Sequence, residues 1–98
     1  VDQETLSRGH RLYDRHCSTC HGSSGRGDGP AAGGLSSPPA NFRSDTVVHT
    51  PPEELFQTIS KGRPKKGMPA WAGILSVRER KAIVHYLRQK IMDRPRGT

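Results

Sequence analysis

Apolar residues recur at helical spacing in three stretches of the 98-residue chain, beginning near the N-terminus. Asp2 can cap a first helix, which the pattern predicts from about Gln3 to His16. Glycine inside a helix costs about 1 kcal/mol relative to alanine, so Gly9 indicates that another helix crosses closely there. The residues that share the apolar face recur three and four apart. They are Leu6, Gly9, Leu12, Tyr13 and Cys17.

A second helix is predicted to begin after Thr50, the expected N-cap, with Pro51 as its first residue. Glu53 stands at the capping-box position. Gly62 and Pro64 would end this helix, because both residues interrupt helical patterns. Its apolar stripe consists of Leu55, Phe56 and Ile59.

The last helix is predicted to begin after Ser76, with Glu79 completing a capping box. No stretch indicates a β-strand, and no repeat is present, so the sequence predicts an all-α domain over residues 1–92. Residues 93–98 are expected to form a flexible C-terminal tail. The apolar stripe of the last helix consists of Ala82, Ile83, Tyr86, Leu87 and Ile91.

The composition limits the hydrophobic core that this domain can form, because only 31% of its residues are hydrophobic and 5% are aromatic. A chain of this size with so few apolar side chains would have a thin core unless a large apolar group completed it. Residues 22–41 are rich in glycine and proline and predict a long loop. A phosphate-binding loop is excluded, because no strand precedes the glycines and no Lys-Ser/Thr pair follows them.

The strongest chemical motif is Cys17-Ser18-Thr19-Cys20-His21. Two cysteines three positions apart, followed directly by histidine, form the c-type haem attachment pattern. A zinc site would need further cysteine or histidine ligands at similar spacing. A thioredoxin-like pair would follow a strand, whereas the residues before Cys17 predict a helix. We therefore expect one covalent haem c, attached through Cys17 and Cys20.

The formal net charge of +7 favours acidic partners, since opposite charge accelerates encounter. Nucleic-acid binding is disfavoured, because the few aromatic residues are needed for the core. No apolar run is long enough to span a membrane. The chain shows no signal peptide and is expected to be a mature or excised product. Haem attachment of this type implies the periplasm or an equivalent extracytoplasmic space.

The sequence resembles a small bacterial class I cytochrome c with one haem over nearly its whole length. The resemblance rests on elements in a fixed order: Gly9 and Tyr13 before the attachment motif, Gly27-Asp28-Gly29-Pro30, Met68-Pro69-Ala70-Trp71, and the final helix with Tyr86. It implies the cytochrome c fold, with three to four short helices and long loops around one covalent haem. The N- and C-terminal helices would cross at Gly9, Tyr13 and Tyr86.

The resemblance also implies the iron ligands. His21 would bind the iron, with its other ring nitrogen donating to the Pro30 carbonyl, and Met68 would bind the opposite face. Met92 lies near the end of the last helix and favours packing. His49, in a loop, is the best rival ligand, and the other histidines are expected to face solvent or support packing. These are His10, His16 and His85.

These features predict a one-electron carrier, and not an enzyme, that moves electrons between respiratory redox partners. It would be a monomer or a domain of a larger protein. Two alternatives stay open: a haem module within an oxidase or reductase, and a ligand-binding or catalytic haem protein with a labile Met68. Trp71, Arg43 and Asn41 are candidates to hold the haem propionates. Residues expected to help dock an acidic partner are Arg15, Arg26, Lys61, Arg63, Lys65 and Lys66.

Overall fold

The computed structural model describes residues 2–35 and 38–92, and this part of the chain is all-α. In chain order its α-helices are α1 (Gln3–His16), α2 (Ser18–His21), α3 (Asp45–Val48), α4 (Pro52–Lys61) and α5 (Val77–Tyr86). A π-helical turn, Leu87–Ile91, continues α5. Short 3-10 helices lie at Ala32–Gly34, Pro64–Lys66 and Trp71–Gly73. The predicted tail, 93–98, lies outside the described residues.

Helix α1 has the bounds that its sequence predicts. Asp2 caps it, because the Asp2 carboxylate accepts a hydrogen bond of 2.9 Å from the Thr5 N–H. This bond lowers the pKa of the Asp2 carboxyl below its usual value. Leu6, Gly9 and Tyr13 are buried, so the predicted apolar stripe is the buried face of the helix.

Helices α1 and α5 cross at Gly9, as predicted. A Cβ added to Gly9 would collide with the Ala82 backbone carbonyl and lie 2.9 Å from the Tyr86 Cβ. The backbones of the two helices therefore approach more closely than any other residue would allow. Tyr13 and Tyr86 both lie at this crossing, with ring centroids 5.5 Å apart.

Two of the three predicted helix caps are confirmed. Ser76 and Glu79 form a reciprocal capping box at the start of α5. Thr50 does not cap α4, because its hydroxyl donates instead to the Thr46 carbonyl at 3.2 Å. The N-cap of α4 is Pro51, which has no side-chain hydrogen bond to offer. The short helix α3, which the sequence did not predict, ends close to Thr50, so a carbonyl of α3 accepts the hydrogen bond from the Thr50 hydroxyl.

Arg80 ties α4 to α5 from a buried position, with 8% of its surface exposed. Its Nε donates to the Leu75 carbonyl at 3.2 Å, and its Nη1 donates to the Ser60 hydroxyl. Its guanidinium also lies over the Phe56 ring, 5.1 Å from the ring centroid. These contacts fix α4 against the start of α5. Among the described residues, no helix is long and apolar enough to cross a membrane.

Candidate functional site

A cavity of about 290 Å³ lies between α1, α2, α4 and the loops that follow α2 and α4. Four of the five predicted site residues line it: Cys17, Cys20, His21 and Met68, whose side chains carry three sulfur atoms and one imidazole. Most of the remaining wall is apolar. The apolar lining includes Leu35, Pro38, Pro39, Phe42, Val47, Leu55, Ile59, Trp71 and Leu87.

Helix α2 places the two cysteines and His21 on the cavity within one turn. Both cysteines are half-buried and form no disulfide. Burial raises the pKa of the Cys17 thiol to about 12, and the nearby Cys20 adds to that effect. A high pKa keeps this thiol uncharged. Both cysteines line the cavity, so a group bound there would lie next to them.

His21 is held by a backbone carbonyl on its Nδ1 side. Nδ1 lies 3.2 Å from the Ala40 carbonyl oxygen. A carbonyl oxygen can only accept, so Nδ1 carries a hydrogen, and in the neutral ring Nε2 then keeps its lone pair. Burial lowers the pKa of His21, although the Ala40 hydrogen bond opposes this shift. The imidazole is therefore neutral at neutral pH, as a metal ligand must be.

The predicted hydrogen bond from His21 to the Pro30 carbonyl is wrong. The backbone of residues 27–31 runs back along α2, with Gly29 N–H donating to the Cys20 carbonyl and Ala31 N–H to the Thr19 carbonyl. This pairing holds Pro30 exposed at the start of α2, outside the cavity lining. The later part of the loop passes His21 instead, so Ala40 rather than Pro30 accepts the hydrogen bond from His21 Nδ1.

Met68 is presented by a tight turn after α4. Arg63 and Met68 form an antiparallel bridge, with N···O distances of 2.9 and 3.1 Å. Gly67 takes a left-handed conformation with φ of 88°, which closes the turn before Met68. The backbone at Met68 is therefore fixed, and its half-buried side chain packs against the hydrophobic core.

The other methionine and the other histidines differ in their positions relative to the cavity. Met92 is buried in the hydrophobic core and is absent from the cavity lining. His49 is exposed, and its Nδ1 lies 2.7 Å from the Asp45 carbonyl oxygen, within its own helical turn. His16, which sequence reasoning assigned to solvent or packing, lines the cavity and contacts Trp71 at a ring-centroid distance of 5.0 Å. Its position directly before Cys17 is the signal that could have placed it there.

The three residues predicted to hold the haem propionates do not all lie at the cavity. Arg43 Nη1 donates to the Ile91 carbonyl at 2.9 Å, and the Asn41 side chain accepts from the Arg43 N–H. Of these three candidates, all in the described part of the chain, Trp71 alone lines the cavity. Arg63 and Lys66 also line it and are exposed, so they add positive charge at the cavity mouth.

The residues present fit a covalently attached haem. Two thiols on one helical turn could form its covalent bonds, a neutral imidazole and a thioether could bind its iron, and all four groups line one apolar cavity. Phe42, Leu55, Ile59 and Leu87 offer the apolar contact that a porphyrin requires. The fit thus rests on the chemistry of the donors and of the wall.

Comparison with known proteins identifies the family and the fold. Residues 4–87 match the family model described as cytochrome c oxidase, cbb3-type, subunit III. Among curated proteins there is no match. A chain of the Kuenenia stuttgartiensis reducing HAO-like protein complex Kustc0457/Kustc0458 is similar, with 28% identity and a TM-score of 0.78. The match covers 88% of this chain but only 43% of that one, so this chain spans less than half of its length.

A second solved structure, titled KustC0563 c-type cytochrome, is 31% identical with a TM-score of 0.69. That match covers 82% of this chain and 93% of the other, so the two are of similar extent. The predicted cytochrome c fold is therefore confirmed. Cytochromes c hold haem c covalently and transfer electrons through it. The chain belongs to the cytochrome c family, as a small class I domain of the monohaem type.

Proposed function

We propose that this protein is a one-electron carrier in which Cys17 and Cys20 attach one haem while His21 and Met68 bind its iron from opposite faces. The observation that carries the proposal is the shared cavity, which brings these four side chains together from α2 and from the turn after α4. Bound haem supplies the exchange of one electron between ferric and ferrous iron. The chain's own residues hold both axial positions and keep water from most of the group.

Rigid presentation of both ligands supports electron transfer over ligand binding. Ala40 fixes the His21 ring through Nδ1, and the Arg63–Met68 bridge fixes the backbone at Met68. Two ligands that are held in place need little rearrangement when the iron changes charge. They also leave no axial position free for a small molecule, which argues against the sensor or enzyme alternative.

Carbon monoxide binding to the ferrous protein tests this distinction. The wild-type protein should keep its spectrum under carbon monoxide, because both axial positions are filled. Met68→Ala should bind the gas, whereas Met92→Ala, which removes the other methionine, should not. A wild-type protein that binds carbon monoxide readily would support the labile-methionine alternative and contradict the carrier proposal.

Charge at the cavity mouth supports docking of an acidic redox partner. Lys61, Arg63, Lys65 and Lys66 are all exposed on the segment that leads to Met68. Ile74 and Val77, further along the same part of the chain, are 59% and 49% exposed. Exposed basic and exposed apolar side chains on this stretch of the chain suit a partner with an apolar centre and acidic surroundings. Arg15 and Arg26 are also exposed and are candidates on the cysteine side.

A carboxylate-terminated monolayer on a gold electrode provides a defined acidic surface for testing the docking proposal. The double variant Lys65→Gln/Lys66→Gln should lose adsorption at lower salt than the wild type, since surface charge pairs are screened. The matched control, Lys81→Gln/Arg88→Gln, removes the same charge from exposed positions in and after α5. Equal weakening by both pairs would mean that the basic residues act only through net charge.

The context of the carrier has two candidates. The similar extent of the c-type cytochrome KustC0563 supports a separate small carrier. The longer chain of the HAO-like complex supports the alternative, a haem module of a larger redox protein. In either context we place the domain in the periplasm or an equivalent space, among respiratory partners. Haem staining of a denaturing gel of native extract distinguishes the two contexts, because a separate carrier would give a small haem-stained band and a module of a larger protein would give a much larger one.

A further inference from the structure

A series of ring contacts runs from the crossing of α1 and α5 to the proposed iron ligand. His10 stacks on Tyr86 at a centroid distance of 4.8 Å, and Tyr86 lies 5.5 Å from Tyr13. Tyr13 meets Phe42 edge-on at 6.3 Å, and Phe42 stacks on the His21 imidazole at 4.4 Å with 24° between the planes. Phe42 is thus the ring that connects His21 to the helix crossing.

Phe42 is itself held in place on several sides. Its N–H donates to the Gly25 carbonyl at 2.7 Å. A Cβ added at Gly25 would lie 3.2 Å from the Phe42 Cδ2, so the loop packs tightly against the ring. Tyr13, which supports the ring edge-on, is fully buried, and its hydroxyl donates to the Gly22 carbonyl at 2.6 Å. The position of Phe42 is therefore fixed by the same loop that follows the attachment motif.

We propose that Phe42 is a positioning residue that sets the plane of the His21 imidazole. The hydrogen bond from Nδ1 to Ala40 fixes one atom of the ring and leaves the plane free to rock about that atom. A face-to-face contact at 4.4 Å removes this freedom, because the two rings must stay close to parallel. The inference rests on the proposed role of His21 as an iron ligand.

The plane of an axial imidazole has a measurable consequence. In ferric haem it determines how unpaired electron density is distributed over the porphyrin, and so it determines the NMR shifts of the four haem methyl groups. Phe42 also covers one face of the ring that donates to Ala40, and aromatic pairs contribute about 0.5–1.5 kcal/mol beyond burial. Loss of the contact should therefore speed exchange of the His21 Nδ1 hydrogen by roughly two- to tenfold.

The experiment compares the two phenylalanines of the chain in the haem-loaded protein. Phe42→Leu and Phe42→Met both remove the stacking ring and keep an apolar side chain, whereas Phe42→Tyr keeps the ring. Phe56→Leu is the matched control, because Phe56 is also half-buried and packs against the core, but lies under Arg80. The readouts are the haem methyl shifts of the ferric protein and exchange of the Nδ1 hydrogen.

Both ring-removing variants at Phe42 should lose the wild-type pattern of methyl shifts and exchange the Nδ1 hydrogen faster. Phe42→Tyr and Phe56→Leu should keep the pattern. The inference is overturned if the Phe42→Leu or Phe42→Met protein keeps the pattern, if Phe56→Leu changes it equally, or if Phe42→Tyr changes it as strongly as leucine. A wild-type ferric protein without the upfield methyl signal of a bound methionine would instead contradict the proposed function.

Discussion

Gly9→Ala is the change that most sharply tests the close crossing of α1 and α5. The new Cβ would lie 2.8 Å from the Ala82 carbonyl carbon, at least 0.6 Å short of the 3.4 Å at which ordinary contact begins. The obstacle is backbone, so no side-chain rotation can relieve it and the helices must separate. Overpacking of this kind costs about 1–3 kcal/mol. Alanine regains about 1 kcal/mol of helix propensity.

Because the collision involves backbone atoms, we place the overpacking cost in the upper half of its range and expect a net loss of about 1–2 kcal/mol. For a domain of this size that lowers the Tm by roughly 4–16 °C. Thermal unfolding of the haem-loaded protein, followed by far-UV circular dichroism, measures the change. Gly33→Ala is the control, because a Cβ there would meet nothing within 4 Å. A Gly9→Ala protein as stable as the Gly33→Ala protein would refute the close crossing.

Three further changes test other parts of the structure. Tyr13→Phe leaves the buried Gly22 carbonyl without its donor and should cost about 1–3 kcal/mol in urea unfolding, and no loss would contradict that hydrogen bond. Arg80→Lys cannot reproduce the forked contacts to carbonyl and hydroxyl groups, so it should lower the unfolding midpoint, whereas an unchanged midpoint would count against them. The hydrogen bond from the Ser76 N–H lowers the pKa of Glu79 in the folded protein. The stabilisation from this carboxylate is therefore present above the pKa that Glu79 has in the unfolded chain, and it is lost as pH falls through the pKa that Glu79 has in the folded protein. Glu79→Gln should thus lower the Tm at pH 7 but barely at pH 3, and an equal loss at both pH values would contradict this.

Local signals in the sequence predicted much of the fold. Asp2, Ser76 and Gly62 act on backbone within a few residues, so their patterns located helix ends correctly. Gly9 predicted a tertiary contact because a glycine at that place has a cost that only close packing offsets. Thr50 failed as a cap because a competing acceptor, the Thr46 carbonyl, depends on a short helix that no pattern indicated.

The sequence proposed residues that the structure brings to one cavity, but it did not reveal the contacts around them. The spacing in the attachment motif predicts Cys17, Cys20 and His21 as haem-binding residues, since covalent chemistry constrains that spacing. Whether Pro30 or Ala40 accepts the hydrogen bond from His21 depends on the path of a 20-residue loop. The many glycines of this loop allow several paths, so the sequence does not predict which one it takes. The stacking of Phe42 on His21 and the burial of Arg80 are contacts between distant segments, which periodicity does not reveal.

The near-infrared absorption of the ferric protein is the measurement that tests the central proposal most directly. A haem iron bound by a methionine sulfur shows a weak charge-transfer band there, so the wild-type protein should have the band. Met68→His should lose it, and Met92→Leu and His16→Gln, which alter the other methionine and the other histidine at the cavity, should keep it. A wild-type spectrum without the band, or its persistence in Met68→His, would contradict ligation by His21 and Met68.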